Sequence, residues 1–129
     1  SAMTPTMVLN KDGSFWFAVG SPGGPTIINT VLQVIVNVID LRMDIQAAVD
    51  TPRIHHQWLP DRIVFEPYGM PRDVQDALRA RGHTLFDQAT IADSVRPGLG
   101  DAQAVMIDPV TRMRLGASDA RRPGVALGY

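Results

Sequence analysis

The stretch Gly20-Ser21-Pro22-Gly23-Gly24-Pro25 is where this sequence can do chemistry with its backbone. Consecutive glycines let a main chain approach a ligand closely. An Ile/Val-rich run follows, so Gly23 and Gly24 sit at a helix start, where two adjacent N–H groups can point at one anion or developing oxyanion. A plain strand-to-helix turn accounts for the same residues, and spacing alone leaves both readings open. A phosphate-binding P-loop is excluded because Gly-Lys-Ser/Thr is missing. His55 and His56 are adjacent, so on a strand they point to opposite faces and cannot easily share a metal. With no cysteine and no nearby Glu to join them, they read as one inward and one outward histidine, and no metal is expected. His83 follows Gly82 at a helix exit and reads as a surface residue. Ser1 could act as a nucleophile with its own α-amine as base. Ser1-Ala2-Met3 reads instead as the remnant of a cleaved tag ahead of a native start.

No Ser/His/Asp triad and no paired carboxylates can be assembled from the spacing. The absence of cysteine removes disulfides, thiolate catalysis and Cys-based zinc sites. A net charge of −1 argues against a dedicated nucleic-acid binder. No apolar run approaches the ~18 residues of a membrane span. At 129 residues and 45% hydrophobic, the chain is expected to be a single domain over residues 1–129 with a real core. Eleven of its twelve basic residues are Arg, and twelve of its thirteen acidic residues are Asp, with Glu66 the exception. That skew reads as codon bias.

The glycine loop needs elements to hold it. Thr6–Asn10 and Ser14–Val19 read as a β-hairpin turning at Asp12-Gly13. Pro25 suits a first helical position, and the helix is expected from about Thr26 to Asp40. Its apolar residues fill an arc of roughly 200°, and the polar remainder carries no Lys, Arg or Glu, which predicts a largely buried helix. Asp44 can cap a short helix over Ile45–Val49. Arg53–Gln57 and Arg62–Glu66 read as strands. Pro71 opens a third helix with Val74, Ala77 and Leu78 inward, and Gly82 closes it. Thr84–Asp87 reads as a strand, Ala89–Asp101 as a loop, and Ala102–Asp108 with Arg112–Ala117 as a last hairpin. The class is α+β.

Several stretches together resemble the C-terminal part of the small subunit of γ-glutamyltranspeptidases. They are Gly20-Ser21-Pro22-Gly23-Gly24 with the following Val31-Leu32-Gln33 and Asn37, then Thr51-Pro52-Arg53-Ile54-His55-His56-Gln57-Trp58-Leu59-Pro60-Asp61. Gly100-Asp101-Ala102-Gln103-Ala104-Val105, Gly116-Ala117-Ser118-Asp119, Arg121 and Gly128-Tyr129 complete a collinear match, and Met3-Thr4-Pro5-Thr6 fits the segment after the family's paired serines. The resemblance implies the C-terminal part of an αββα N-terminal nucleophile hydrolase sandwich, with antiparallel strands and a buried central helix. It implies a precursor that cuts itself into two subunits, a new N-terminal Thr that attacks the γ-glutamyl amide of glutathione, and transfer of the acyl group to water or an amino acid. It needs no cofactor. Gly23 and Gly24 take the positions of the family's oxyanion-hole glycines. The paired serines that hold the donor's α-carboxylate would fall at Ser1 and Ala2, and Ala2 departs from the pattern. The catalytic Thr lies upstream of this chain. Pro25 replaces a commoner Ser, and Asp93–Leu99 is longer and more polar than the family's pattern.

The resemblance therefore implies a fragment of an enzyme, inactive alone. Its partners would be the large subunit and the N-terminal part of the small subunit of the same precursor, with a small γ-glutamyl compound as substrate. Its location would be periplasmic or secreted, as in bacterial members. Unpartnered, it is expected to form a homo-oligomer. Two other readings stand beside it: a non-catalytic assembly or binding module that kept the fold, and a self-contained hydrolase using Ser1.

Overall fold

A computed structural model describes residues 3–88 and 99–128. The expected loop therefore lies outside the described residues from 89 to 98, as do Ser1, Ala2 and Tyr129. The chain divides into two compact units, one of residues 1–50 with 100–129 and one of residues 51–99.

The first unit is a helical layer on a four-stranded sheet. Strands β1 (Thr6–Leu9), β2 (Phe15–Gly20), β6 (Gln103–Ile107) and β7 (Arg114–Ser118) lie in the order β1-β2-β6-β7, every neighbouring pair antiparallel. The first hairpin turns as its sequence dictates. Gly13 adopts φ 84°, and Asp12 Oδ1 accepts the Ser14 amide at 2.9 Å. Period-2 alternation puts Phe17, Val19, Ala104, Met106 and Ala117 on one face. They pack against Val31, Val34 and Val38 of α1 (Ile27–Ile39) and Ile45, Ala48 and Val49 of α2 (Ile45–Asp50). Asp44 caps α2 as expected, its Oδ1 accepting the Ala47 amide at 2.9 Å.

α1 is buried along Ile27, Thr30, Val31, Val34, Asn37 and Val38. Its polar stripe is indeed partly covered: Asn37 Nδ2 donates to the Ala48 carbonyl at 3.2 Å. Ile28, Leu32 and Val36 form a second, exposed stripe at i, i+4 and i+8. The sheet likewise keeps an outward face, in the cross-strand row Met7, Ala18, Val105 and Gly116. Met7 is 74% and Val105 53% exposed. Ala126 lies against Gly116, close enough that a side chain there would meet it at 2.7 Å. Grooves of about 700 and 710 Å³ share the lining residues Val105, Gly116, Ala126 and Leu127.

The second unit holds β3 (Ile54–His55), β4 (Ile63–Phe65), β5 (Leu85–Asp87) and α3 (Arg72–Ala80). β3 and β4 pair antiparallel, while β4 and β5 run parallel. Pro71 and Gly82 bound α3 as expected, Gly82 with φ 90°. The expected inward face of α3 is corrected. No residue of the helix is buried, Val74 is 42% exposed, Ala77 is exposed, and only Leu78 and Gln75 are half-covered. Strands of two or three residues offer too little surface for a nine-residue helix to bury a full stripe.

Burial in this unit centres on a polar clamp. Arg53 and Glu66 are 1% and 4% exposed. Glu66 Oε2 accepts the Arg53 amide at 2.8 Å and Oε1 accepts the Leu99 amide at 2.5 Å. The Glu66 amide returns to the Arg53 carbonyl (3.0 Å), and Arg53 Nη1 reaches the Leu99 carbonyl (2.7 Å). The chain's single glutamate thus joins backbone groups from residues 53 and 99. Glu66→Ala removes the carboxylate to which two buried amides donate. It should lower the unfolding free energy by about 3 kcal/mol in urea titration, and a loss below about 1 kcal/mol would show that the clamp is dispensable.

Candidate functional site

Gly20 ends β2, and the chain leaves the sheet through Ser21 and Pro22 into Gly23, whose φ of 151° and ψ of 12° suit glycine alone. Gly24 follows at φ 60° and opens a short 3-10 turn, Gly24–Thr26, that feeds directly into α1. Pro25 stands in that turn's first positions, as its fixed φ allows. The Gly23 carbonyl accepts two bonds from Thr26, from Oγ1 at 3.0 Å and from the amide at 3.3 Å. Neither the Gly23 nor the Gly24 amide donates to another described residue. Gly23 is half-buried and Gly24 exposed, and the space where a Gly24 side chain would stand is open to 4 Å. The predicted turn and helix start therefore leave two consecutive N–H groups free beside the positive end of α1.

Behind the loop the packing is close. A side chain on Gly23 would stand 3.2 Å from the Gly100 Cα and 2.6 Å from Thr26 Oγ1. Gly100, at φ 81°, has no more room, since its Cβ would fall 2.5 Å from Thr30 Oγ1 and 2.7 Å from Ser21 Oγ. Ser21 is fully buried and ties three segments together. Its amide donates to the Met3 carbonyl at 2.9 Å. Its hydroxyl donates to the Pro22 carbonyl at 2.8 Å and accepts the Asp101 amide at 2.9 Å.

Of the sequence-derived candidates, Gly23 and Gly24 come together on one loop, and Ser1 lies outside the described residues. His55 and His56 point apart. His55 is buried with Nε2 2.9 Å from Gln57 Oε1, and His56 lies outside, 3.1 Å from Asp61 Oδ1. His83 is exposed. Among the described residues no three His, Asp or Glu side chains cluster as metal ligands. Reasoning from the sequence missed the supporting roles of Ser21, Thr26, Thr30 and Gly100. Their signal was present only as a serine beside the glycine pair and a glycine just before a strand.

The family model for gamma-glutamyltranspeptidase matches residues 1–129. The glutathione hydrolase proenzyme of Escherichia coli (strain K12) is 40% identical over 121 residues, covering 94% of this chain and 19% of that protein. Among solved structures, a variant of Helicobacter pylori gamma-glutamyltranspeptidase superposes with a TM-score of 0.83 at 44% identity, over 95% of this chain and 62% of that one. Gamma-glutamyltranspeptidase from Pseudomonas nitroreducens complexed with L-DON gives 0.82 at 35% identity, over 100% and 63%. The chain thus spans about a fifth of the length of the curated relatives it matches.

Gly100→Ala forces an L residue into a left-handed backbone and a methyl group into Thr30 and Ser21. The expected loss is about 3 kcal/mol of stability by chemical denaturation, and a variant as stable as the parent would refute the close packing behind the loop.

Proposed function

Since this chain belongs to the gamma-glutamyltranspeptidase family, we propose that it is the C-terminal part of an enzyme that cleaves the γ-glutamyl amide of glutathione and related compounds, contributing the oxyanion donors and not the nucleophile. The observation that carries this reading is the pair of unengaged amides at Gly23 and Gly24. In the proposed reaction the hydroxyl of an upstream threonine adds to the γ-carbonyl. Negative charge collects on the carbonyl oxygen, and the two N–H groups hold it through the tetrahedral stage. Collapse expels the amine, to which the threonine's own α-amine passes the hydroxyl proton, and leaves an acyl-enzyme that water or an amino-acid amine then takes up. The loop acts only on charge that develops during the reaction, so its contribution falls on turnover rather than on substrate binding.

The remaining parts of the precursor, the large subunit and the N-terminal part of the small one, are the proposed partners, in a periplasmic or secreted enzyme. Exposed apolar surface on both layers of the first unit supports this: Ile28, Leu32 and Val36 on α1, and Met7, Leu9 and Val105 on the sheet. Without such cover the same surfaces favour a homo-oligomer.

In the full-length, self-processed protein, Gly24→Val should lower release from a γ-glutamyl anilide by roughly 10²-fold or more. Because the space beside Gly24 is open, the loss would come from the backbone leaving φ 60° and re-aiming its amide, not from collision. Turnover within twofold of the parent would sink the oxyanion assignment. The chain by itself should release no anilide above the buffer rate and should sediment as a species larger than a 14.1 kDa monomer. Enzymatic release by the chain alone would point to Ser1 as a nucleophile, and a well-folded monomer would refute the need for a partner.

A further inference from the structure

A trans peptide is planar, and its carbonyl and N–H point in opposite directions, so whatever fixes one fixes the other. The two amides of interest belong to the peptides Pro22–Gly23 and Gly23–Gly24, neither of them cis. The carbonyl of the first is Pro22 O, which accepts the Ser21 hydroxyl at 2.8 Å. The carbonyl of the second is Gly23 O, which accepts Thr26 Oγ1 at 3.0 Å and the Thr26 amide at 3.3 Å. Each plane is therefore held by its carbonyl from the inner side, and each N–H is turned the other way.

We propose that Ser21 and Thr26 are positioning residues that aim the two oxyanion donors through the opposite ends of their own peptide planes; this rests on the reading of Gly23 and Gly24 given above. Ser21 is the stricter of the two. Its hydroxyl is fully buried, and the Asp101 amide, donating to it at 2.9 Å, occupies a lone pair and directs the proton toward Pro22 O. No other bond to the Pro22 carbonyl exists among the described residues. Thr26 shares its task between side chain and backbone, so losing the hydroxyl leaves one holder in place. The Ser21 amide, which holds Met3, is untouched by a change of side chain. Substitution should therefore disturb the oxyanion donors without shifting the segment that follows the expected α-carboxylate site.

The test uses the intact, self-processed precursor with a γ-glutamyl anilide as donor. Ser21→Ala should lower kcat about 10-fold, and Thr26→Val about 3-fold, with KM for each within twofold of the parent. Thr26→Ser, which keeps the hydroxyl, should restore the parent rate. A γ-glutamyl boronate, whose tetrahedral oxygen imitates the oxyanion, should lose affinity for Ser21→Ala by the same factor as kcat, while the affinity for free glutamate stays within twofold. A purely structural role would weaken both ligands together or leave both unchanged. Should Ser21→Ala fail to fold or process, Thr26→Val and Thr26→Ser decide the matter alone. Full activity in Ser21→Ala or Thr26→Val, with Gly24→Val impaired, would overturn this proposal only. Full activity in Gly24→Val as well would overturn the oxyanion reading beneath it.

Discussion

Gly23 and Gly100 meet with no room for a side chain on either, and much of the first unit is arranged around that approach. A Cβ on Gly23 would lie 3.2 Å from Gly100 Cα, and one on Gly100 would collide with Ser21 and Thr30. The contact brings the end of β2 beside the start of β6, where Gly20 already pairs with Gln103. It also seats the first turn of α1, since Thr30 is one of the walls. The sheet, the helix and the loop are thus located by one backbone approach. Only glycine could serve on both sides, because φ is positive at each and L side chains rarely adopt that region.

Polar side chains share the burial of the first unit with its apolar core. Ser21, Thr30, Asn37 and Asp119 are among the buried polar side chains, and each lies in the first unit. Asp119 Oδ2 accepts the Ala102 amide at 2.7 Å, just past the glycine approach, while its Oδ1 accepts Arg121. Buried polar groups of this kind cost stability unless satisfied, and once satisfied they admit few alternative arrangements. A loop proposed to hold two amides in fixed directions benefits from that restriction.

How far the sequence foretold this varies with the range of the forces involved. The hairpins, the span of α1, the Asp44 cap and the Gly82 stop were all readable, because each depends on local turn chemistry or on a strong apolar period. The inward face of α3 was misjudged because amphipathicity gives a stripe but not the area available to cover it, and short strands in the second unit supply little. The glycine pair could be picked out from Gly23-Gly24 before an Ile/Val run. Its supports could not. Ser21 is 80 residues from its partner Asp101, and Gly100 is 77 from Gly23. Glu66 shows the same limit from another side. A skew toward Asp and Arg reads as a habit of composition. The one glutamate is the residue whose carboxylate reaches two amides 46 positions apart in the chain, at Arg53 and Leu99.

That carboxylate has an evolutionary corollary. Between Glu66 and Leu99 the chain departs and comes back to a fixed knot, so the ends of the intervening segment are pinned whatever lies within it. Closing a longer loop on pinned ends costs little, about 0.6 kcal/mol for each doubling of its length. Such a segment can lengthen, shorten or change its composition while the knot keeps the return point at Leu99 unchanged. Tolerance of change and constancy in geometry are in this way assigned to adjoining stretches of the same chain.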